Sequence, residues 1–415
     1  MIKRIKATNF KSFENLDIEL GKFNVLIGAN ASGKSNFVSI FKFLRDIVNF
    51  GLDNAISMEA GGVEYLRNMN IGAVKDLSIQ VVSDQEFKNI PPLKGERIGV
   101  KIYEIIYEFA LRFNKKGSGF RIIKDELTQK CKIVKLERKK GKIEEKEILG
   151  DGEIVISRNN GKVKINTNIT KELPLEKEKI FPPFLREEKL PPNMLLLETP
   201  YFFIPFPVRA IFDDISVYDF DPKLSKTATP ITGKAELEEN GKNLSIVLKN
   251  ILQKKEKRRK LFNLVKELLP FVENLDVEKF ADKSLLFKLQ ETYFKNQYLP
   301  ASLISDGTIN ITAFIIALYF ERKTLIIVEE PERNIHPYLI SKIVEMMKDA
   351  SQKKQIILTT HNPEIVKYAG LENILFVSRE KNGLSTISRP ADKEEVKIFL
   401  KNDIGIEELY IQNLL

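Results

Sequence analysis

Tryptophan is absent from this 415-residue chain, cysteine occurs once and histidine twice. A single thiol, Cys131, cannot close an internal disulfide, so the fold has to rest on a buried core. One cysteine and two histidines are too few for the usual tetrahedral donor set of zinc. No apolar run approaches the ~20 residues that a helix needs to cross a bilayer. The longest, Ile309 to Phe320, has the length of a buried helix. The opening Met1-Ile2-Lys3-Arg4-Ile5-Lys6 lacks the apolar stretch of a secretory leader. The chain is therefore expected in the cytoplasm, with no membrane partner. Internal repeats, low-complexity tracts and heptad arrays are missing too, which argues against solenoids and coiled-coil arms.

What is present has a globular balance, 43% hydrophobic and 30% charged, over a length that suggests two or three units. Lys and Arg total 66 against 57 Asp and Glu, leaving +9. This excess permits a nucleic-acid partner without requiring one. The densest basic run is Lys254-Lys255-Glu256-Lys257-Arg258-Arg259-Lys260. On a helix, Lys257, Arg258, Arg259 and Lys260 cover most faces of one turn and are candidate phosphate contacts. The plainer reading of the same residues is a solvated helix face.

The chain is organised around Gly28-Ala29-Asn30-Ala31-Ser32-Gly33-Lys34-Ser35, which fits G-x-x-x-x-G-K-[ST] at every fixed position. Phe23 to Ile27 reads as a short buried strand before it. Asn36 to Val48 reads as a helix after it, with apolar residues at 37, 40, 41, 44, 47 and 48. Strand, glycine-rich loop and helix together aim backbone N–H groups at an anion. The candidate nucleotide-binding residues are Gly28, Asn30, Ala31, Ser32, Gly33, Lys34, Ser35 and Asn36. Lys34 would reach the β- and γ-phosphates, and the Ser35 hydroxyl would ligate Mg²⁺.

Three constellations near the other end complete a phosphoryl-transfer set. Thr324 to Val328 is a greasy strand running into Glu329-Glu330-Pro331. Paired carboxylates at a strand end suit a Mg²⁺-holding acid, Glu329, and a neighbour that orients or deprotonates water, Glu330. Ser305-Asp306-Gly307 precedes the buried helix and offers its N-terminal N–H groups to an anion, or simply an N-cap. His361 follows the apolar run Gln355 to Leu358 and could hydrogen-bond a phosphate or the attacking water.

Between these ends lie alternating runs that read as an antiparallel sheet: Gly99 to Phe113, Phe120 to Glu126, Cys131 to Arg138, Glu153 to Arg158 and Lys162 to Thr167. Gly150-Asp151-Gly152 reads as one of the separating turns. Residues 172–235 are dense in proline, and Gly241 to Leu269 reads as a helical pair or one long helix. From Leu285, read as a strand to Tyr293, the pattern returns to α/β. The expected domains are 1–175, the P-loop half with the antiparallel sheet; 176–284, a proline-rich and helical insertion; and 285–415, the second half of the nucleotide-binding unit.

The four motifs, in this order, resemble the ABC-type ATPase superfamily and within it the branch of RecF, the SMC and Rad50 heads and the overcoming-lysogenisation-defect (OLD) ATPases. "NFKSFENLDIELGKFNVLIGANASGKSN" is similar to that branch's start. "LISDGTI" is similar to its signature, "VEEPERNIHP" to its Walker B and D-loop, and "LTTHNPE" to its switch histidine. The resemblance covers residues 1–48 and 300–370. It implies an α/β fold: an ABC-type P-loop head with a mostly parallel central sheet, an added antiparallel β subdomain and a helical insertion. It also implies ATP and Mg²⁺ as cofactors, ATP hydrolysis with Glu330 and His361 as catalytic residues, and a head-to-tail homodimer. Ser305, Asp306 and Gly307 would then cap the nucleotide of the other copy, and Asn334, Ile335 and His336 fall at the D-loop. The chain departs from the family in having Glu329 for the Walker B aspartate and Asp306 where glycine is commonest. No Q-loop glutamine can be assigned, Gln80 lying within a strand candidate.

Lys34 and Ser305 are 271 positions apart, too far for a transporter subunit, and no coiled coil fills the interval. Only 54 residues follow His361, too few for a TOPRIM nuclease, so a stand-alone ATPase is expected. By analogy it acts as a nucleotide-gated sensor or regulator with a separate effector, a nuclease or toxin in antiviral defence. The alternative is a RecF-like DNA-binding clamp in repair that uses ATP as a binding switch. Either reading requires Lys34. Lys34→Ala is expected to abolish ATP binding in a fluorescent-nucleotide titration, and unchanged affinity would reject the P-loop assignment.

Overall fold

The computed structural model describes residues 1–86, 98–115, 119–139, 142–169, 189–199, 208–280, 283–294, 297–396, 405–412 and 414. Its contacts divide the chain into two compact units. One comprises Met1–Leu20, Ser35–Asp214 and Arg379–Ile387. The other comprises Gly21–Lys34, Ile215–Ser378 and Ser388–Leu415. Much of the proline-dense stretch, 170–188 and 200–207, lies outside the described residues.

The first unit is built on a seven-stranded antiparallel sheet. The hairpin Ile2–Phe10 and Phe13–Glu19 stands at one end, with Leu77–Ser83, Ile98–Phe113, Phe120–Lys139, Lys142–Asn159 and Lys162–Ile169 following in order. The sequence reading divides the fifth strand at residues 127–130. The structure runs it unbroken for 20 residues. The reason is Gln129, which is fully buried, so a polar side chain occupies the inward register and interrupts the apolar alternation but not the strand. Gly150-Asp151-Gly152, read as a turn, instead pairs within the sheet, Gly150 with Ile133 and Gly152 with Cys131, beside a register shift. Bulged strands accommodate glycine there. The helix Lys34–Phe50 buries Phe37, Ile40, Phe41, Leu44 and Ile47, the stripe that its spacing predicts. On its next face Phe43 meets Phe10 and Phe109 at ring-centroid distances of 6.0 and 6.4 Å. A further helix, Leu52–Ala60, occupies a stretch with little sequence periodicity; Leu52, Ala55 and Ile56 anchor it.

The second unit holds a central sheet in which Ile374–Arg379, Phe23–Ile27, Gln355–Thr360, Leu325–Glu329 and Ile215–Tyr218 lie side by side in that order. Every one of these neighbours is parallel. Phe23–Ile27 and Gln355–Thr360 are buried at every position, as strands covered on both faces must be. The helix Asp306–Tyr319 is buried from Thr308 to Leu318, in keeping with its all-round apolar sequence. The helical-pair reading of 241–269 resolves into Leu244–Leu252 and Lys255–Leu268. The strand expected over Leu285 to Tyr293 is present as Ser284–Glu291, but the return to α/β begins after it. That strand joins a separate antiparallel sheet with Thr229–Pro230, Val272–Phe280 and Leu299–Pro300. It buries Leu285, Phe287 and Leu289 on one face only, the alternating pattern of an antiparallel strand. Among the described residues no helix is long and apolar enough to cross a membrane.

One buried acid of the first unit couples its folding to pH. Asp125 is 2% exposed and accepts hydrogen bonds from the Tyr107 hydroxyl at 2.9 Å and the Leu196 N–H at 2.8 Å. Burial pushes its carboxyl up to about 7 despite those two donors. With the folded value above the unfolded one, the native state binds the extra proton, so stability falls as pH rises from the ordinary carboxylate range toward 7. Asp125→Asn is expected to flatten that fall. Its melting temperature should match wild type near pH 4 and exceed it near pH 7–8; parallel melting curves across that window would contradict the assignment.

Candidate functional site at the edge of the parallel sheet

Parallel register decides which residues meet in the second unit. Ile27 pairs with Thr360 and with Phe376, Glu329 with Thr359, and Val328 with Tyr218. The residue after four of these strands therefore leaves at the same carboxyl edge, Gly28, His361, Glu330 and Asp219, with Val377 of the fifth strand alongside. Ligands bind at this edge of open parallel sheets.

The loop from Gly28 is tightly built. A Cβ on Gly28 would lie 2.2 Å from the Val377 carbonyl oxygen and 2.7 Å from the Ser32 hydroxyl, so only glycine leaves the strand here. Ala31 and Gly33 take positive φ, 59° and 119°, and the Ser32 N–H donates to the Ala29 carbonyl at 3.2 Å. Lys34 is 8% exposed, and its ammonium donates to the carbonyls of Gly28 at 2.7 Å and Ala29 at 3.0 Å. No ion pair involves it among the described residues. Burial lowers its pKa, while the charges of Glu330 and Glu332 act in the opposite sense. A buried ammonium resting on neutral carbonyls, inside a curled loop, has the chemistry to accept an anion. Asn30 and Ser35 are exposed. Asn36 is half-buried, and its amide donates to the Ser12 hydroxyl at 2.7 Å.

Both oxygens of Glu330 are engaged. Oε1 lies 3.0 Å from Nδ1 of His361, and Oε2 accepts from Arg333 at 2.8 Å. The Arg333 guanidinium also donates to Asp219 at 2.9 Å. Burial alone would raise the Glu330 carboxyl, but the hydrogen bonds from Arg333 and His361 outweigh it and hold the group below its usual range. Glu330 has φ +45°, in the left-handed region, and Asn334 +63°. Strained backbone of this kind persists where the surroundings over-determine it. For Glu330 those surroundings include an N–H donated to the Thr359 carbonyl at 2.9 Å.

A second acid, Glu332, is missing from the sequence reading. It is 9% exposed and accepts from the Thr360 hydroxyl at 2.5 Å. Its Oε2 is buried with no hydrogen-bond partner among the described residues. Desolvation raises its pKa, with the Glu330 charge adding to the effect.

The signature stretch packs on the segment after Glu330. Ser305 caps the helix Asp306–Tyr319 by accepting from the Thr308 N–H at 3.2 Å. A Cβ on Gly307 would stand 2.6 Å from the Asn334 carbonyl oxygen, and the Asn310 amide donates to the Arg333 carbonyl at 3.0 Å. Asp306 pairs with Lys226 at 2.5 Å. In the basic run Arg258, Arg259 and Lys260 are exposed and Lys257 is half-buried. Arg258 lies over the Phe262 ring at 5.5 Å, and Lys260 over Tyr319 at 5.2 Å and Phe320 at 5.5 Å.

Two family models match successive parts of the chain. An "AAA ATPase domain" model covers residues 1–193, and "AAA domain, putative AbiEii toxin, Type IV TA system" covers residues 198–367. A crystal structure of an SMC head bound to the C-terminal winged-helix domain of ScpA superimposes over 93% of this chain and 97% of that one. The TM-score is 0.50 and the identity 15%. Both matched models describe AAA-type ATPase domains, and the fold is similar to that of an SMC head. The chain also matches two proteins of Methanocaldococcus jannaschii, uncharacterized protein MJECL43 (22% identical) and uncharacterized protein MJ1542 (34% identical). The first match covers 33% of this chain and 39% of the relative; the second covers 21% and 10%.

Proposed function

We propose that this chain binds ATP with Mg²⁺, hydrolyses it, and dimerises head to tail on the nucleotide as the gate of a separate effector. The observation that carries the reading is the convergence at one sheet edge of a buried P-loop lysine and a carboxylate hydrogen-bonded to a histidine. Lys34 would meet the β- and γ-phosphates once its two carbonyl contacts are exchanged for phosphate oxygens. Ser35 and Glu329 are hard oxygen donors of the kind Mg²⁺ takes, and would hold it. When bound, the ion supplies charge neutralisation on the β- and γ-phosphate oxygens. Glu330 would orient the attacking water and take its proton. The water oxygen forms the new bond to the γ-phosphorus as the bond to the β-phosphate oxygen breaks, releasing ADP and phosphate. His361, beside Oε1 of Glu330, would steady that carboxylate and donate to the γ-phosphate.

Ser305, Asp306 and Gly307 are proposed to reach the nucleotide of a second copy. The Asp306 carboxylate would repel an incoming phosphate, and its ion pair with Lys226 offsets that charge. The matched description, which names a putative toxin of a type IV toxin–antitoxin system, favours a role beside a toxin in such a system over the repair-clamp alternative.

Glu330→Gln keeps the size of the side chain and removes its basicity. The variant is expected to bind ATP, to lose turnover by on the order of 100-fold or more, and to run as a dimer on size exclusion with ATP. Phosphate release at the wild-type rate would remove Glu330 from this role.

A further inference from the structure

We propose that Arg333, anchored by Asp219, is the positioning residue for Glu330 in the hydrolytic step. The inference rests on the reading of Glu330 as the hydrolytic carboxylate and adds a requirement to it. Arg333 is the one described residue that bridges two acids at this edge, Asp219 at 2.9 Å and Glu330 Oε2 at 2.8 Å. Each acid comes from a different strand end. Asp219 follows Tyr218, which lies level with Val328 in the parallel register. Its own N–H is held by the Glu239 carbonyl at 2.9 Å. Arg333 is fixed at its backbone, its N–H donating to the Glu330 carbonyl at 3.0 Å and its carbonyl accepting from Asn310 at 3.0 Å.

Stability does not explain the bridge. The side chains of Arg333 and Asp219 are 46% and 51% exposed, and ion pairs that open to solvent add little to folding. Geometry does explain it. Glu330 sits on left-handed backbone at the point where the strand ends, so the direction of its carboxylate depends on what holds its oxygens. Arg333 commits Oε2, and the rotamer that results presents Oε1 beside His361. A planar guanidinium can hold Asp219 and Glu330 at once, which a single ammonium point charge does poorly.

The test is steady-state ATP hydrolysis by the full chain, with nucleotide affinity measured separately. Arg333→Ala is expected to lower kcat by on the order of 10- to 100-fold, the usual effect of losing a group that orients a catalytic side chain. KM and nucleotide affinity should stay within about twofold. Millimolar guanidinium ion should restore part of kcat to Arg333→Ala and none to Glu330→Gln. Arg333→Lys should recover only part of the loss. Asp219→Asn should lower kcat less than Arg333→Ala, and adding it to Arg333→Ala should cost nothing more, because the two act as one unit. Asp219→Asn also carries the test if Arg333→Ala fails to fold. Wild-type kcat in Arg333→Ala and Asp219→Asn, or a loss confined to KM, would overturn the proposal. Full turnover by Glu330→Gln would instead overturn the reading of Glu330 on which it rests.

Discussion

The parallel register of Ile27 against Thr360, and of Glu329 against Thr359, is the constraint on which the rest of the site depends. Backbone pairing allows no partial slip, since a shift of one residue turns every side chain to the other face. These strands are apolar at nearly every position and buried on both faces, so core packing and ladder hydrogen bonds hold the same alignment. Once it is set, the residues that follow each strand must exit together. That is why groups as far apart in sequence as Gly28, Glu330 and His361 share one edge. Gly28 can be nothing larger, because the Val377 carbonyl already occupies the space beside it.

The electrostatics of the edge follow from partial burial. Lys34, Glu330 and Glu332 all sit where desolvation works against charge. Each is handled differently. Lys34 rests on two carbonyls, Glu330 is clamped by Arg333 and His361, and Glu332 has one oxygen on Thr360 and the other without a partner. Unequal environments for neighbouring carboxyls separate their roles, as paired acids in active sites require. In the proposed mechanism an incoming triphosphate draws on the same imbalance, bringing negative charge to the buried ammonium.

Much of the second unit was legible in the sequence. The P-loop announces itself by glycine spacing, the strand Leu325–Glu329 by its unbroken apolar run, and His361 by its place directly after another. The partners that hold these groups were not legible. Asp219 lies 114 positions from Arg333, and Lys226 lies 80 from Asp306, both in a proline-dense stretch without periodicity. Nothing local marks either residue as more than a surface charge. Glu332 follows the Glu329-Glu330-Pro331 motif so closely that it reads as a third surface acid; only burial separates it from one. In the antiparallel unit the misread breaks have one cause. Gln129 inside, and glycines at a register shift, disturb the apolar pattern while leaving the backbone ladder intact.

In the proposed mechanism a complete ATPase site needs the P-loop and carboxylates of one copy and the Ser305–Gly307 stretch of another. Complementation between two disabled variants distinguishes a shared site from one held within a single copy. Lys34→Ala disables the P-loop, and Ser305→Arg disables the signature. Each variant should be inactive alone if the site is shared, provided that circular dichroism shows both folded. Mixed in equal amounts, they should regain ATP hydrolysis, because a mixed pair holds one intact site. A mixture as inactive as its components, under conditions where the two copies associate, would contradict the account.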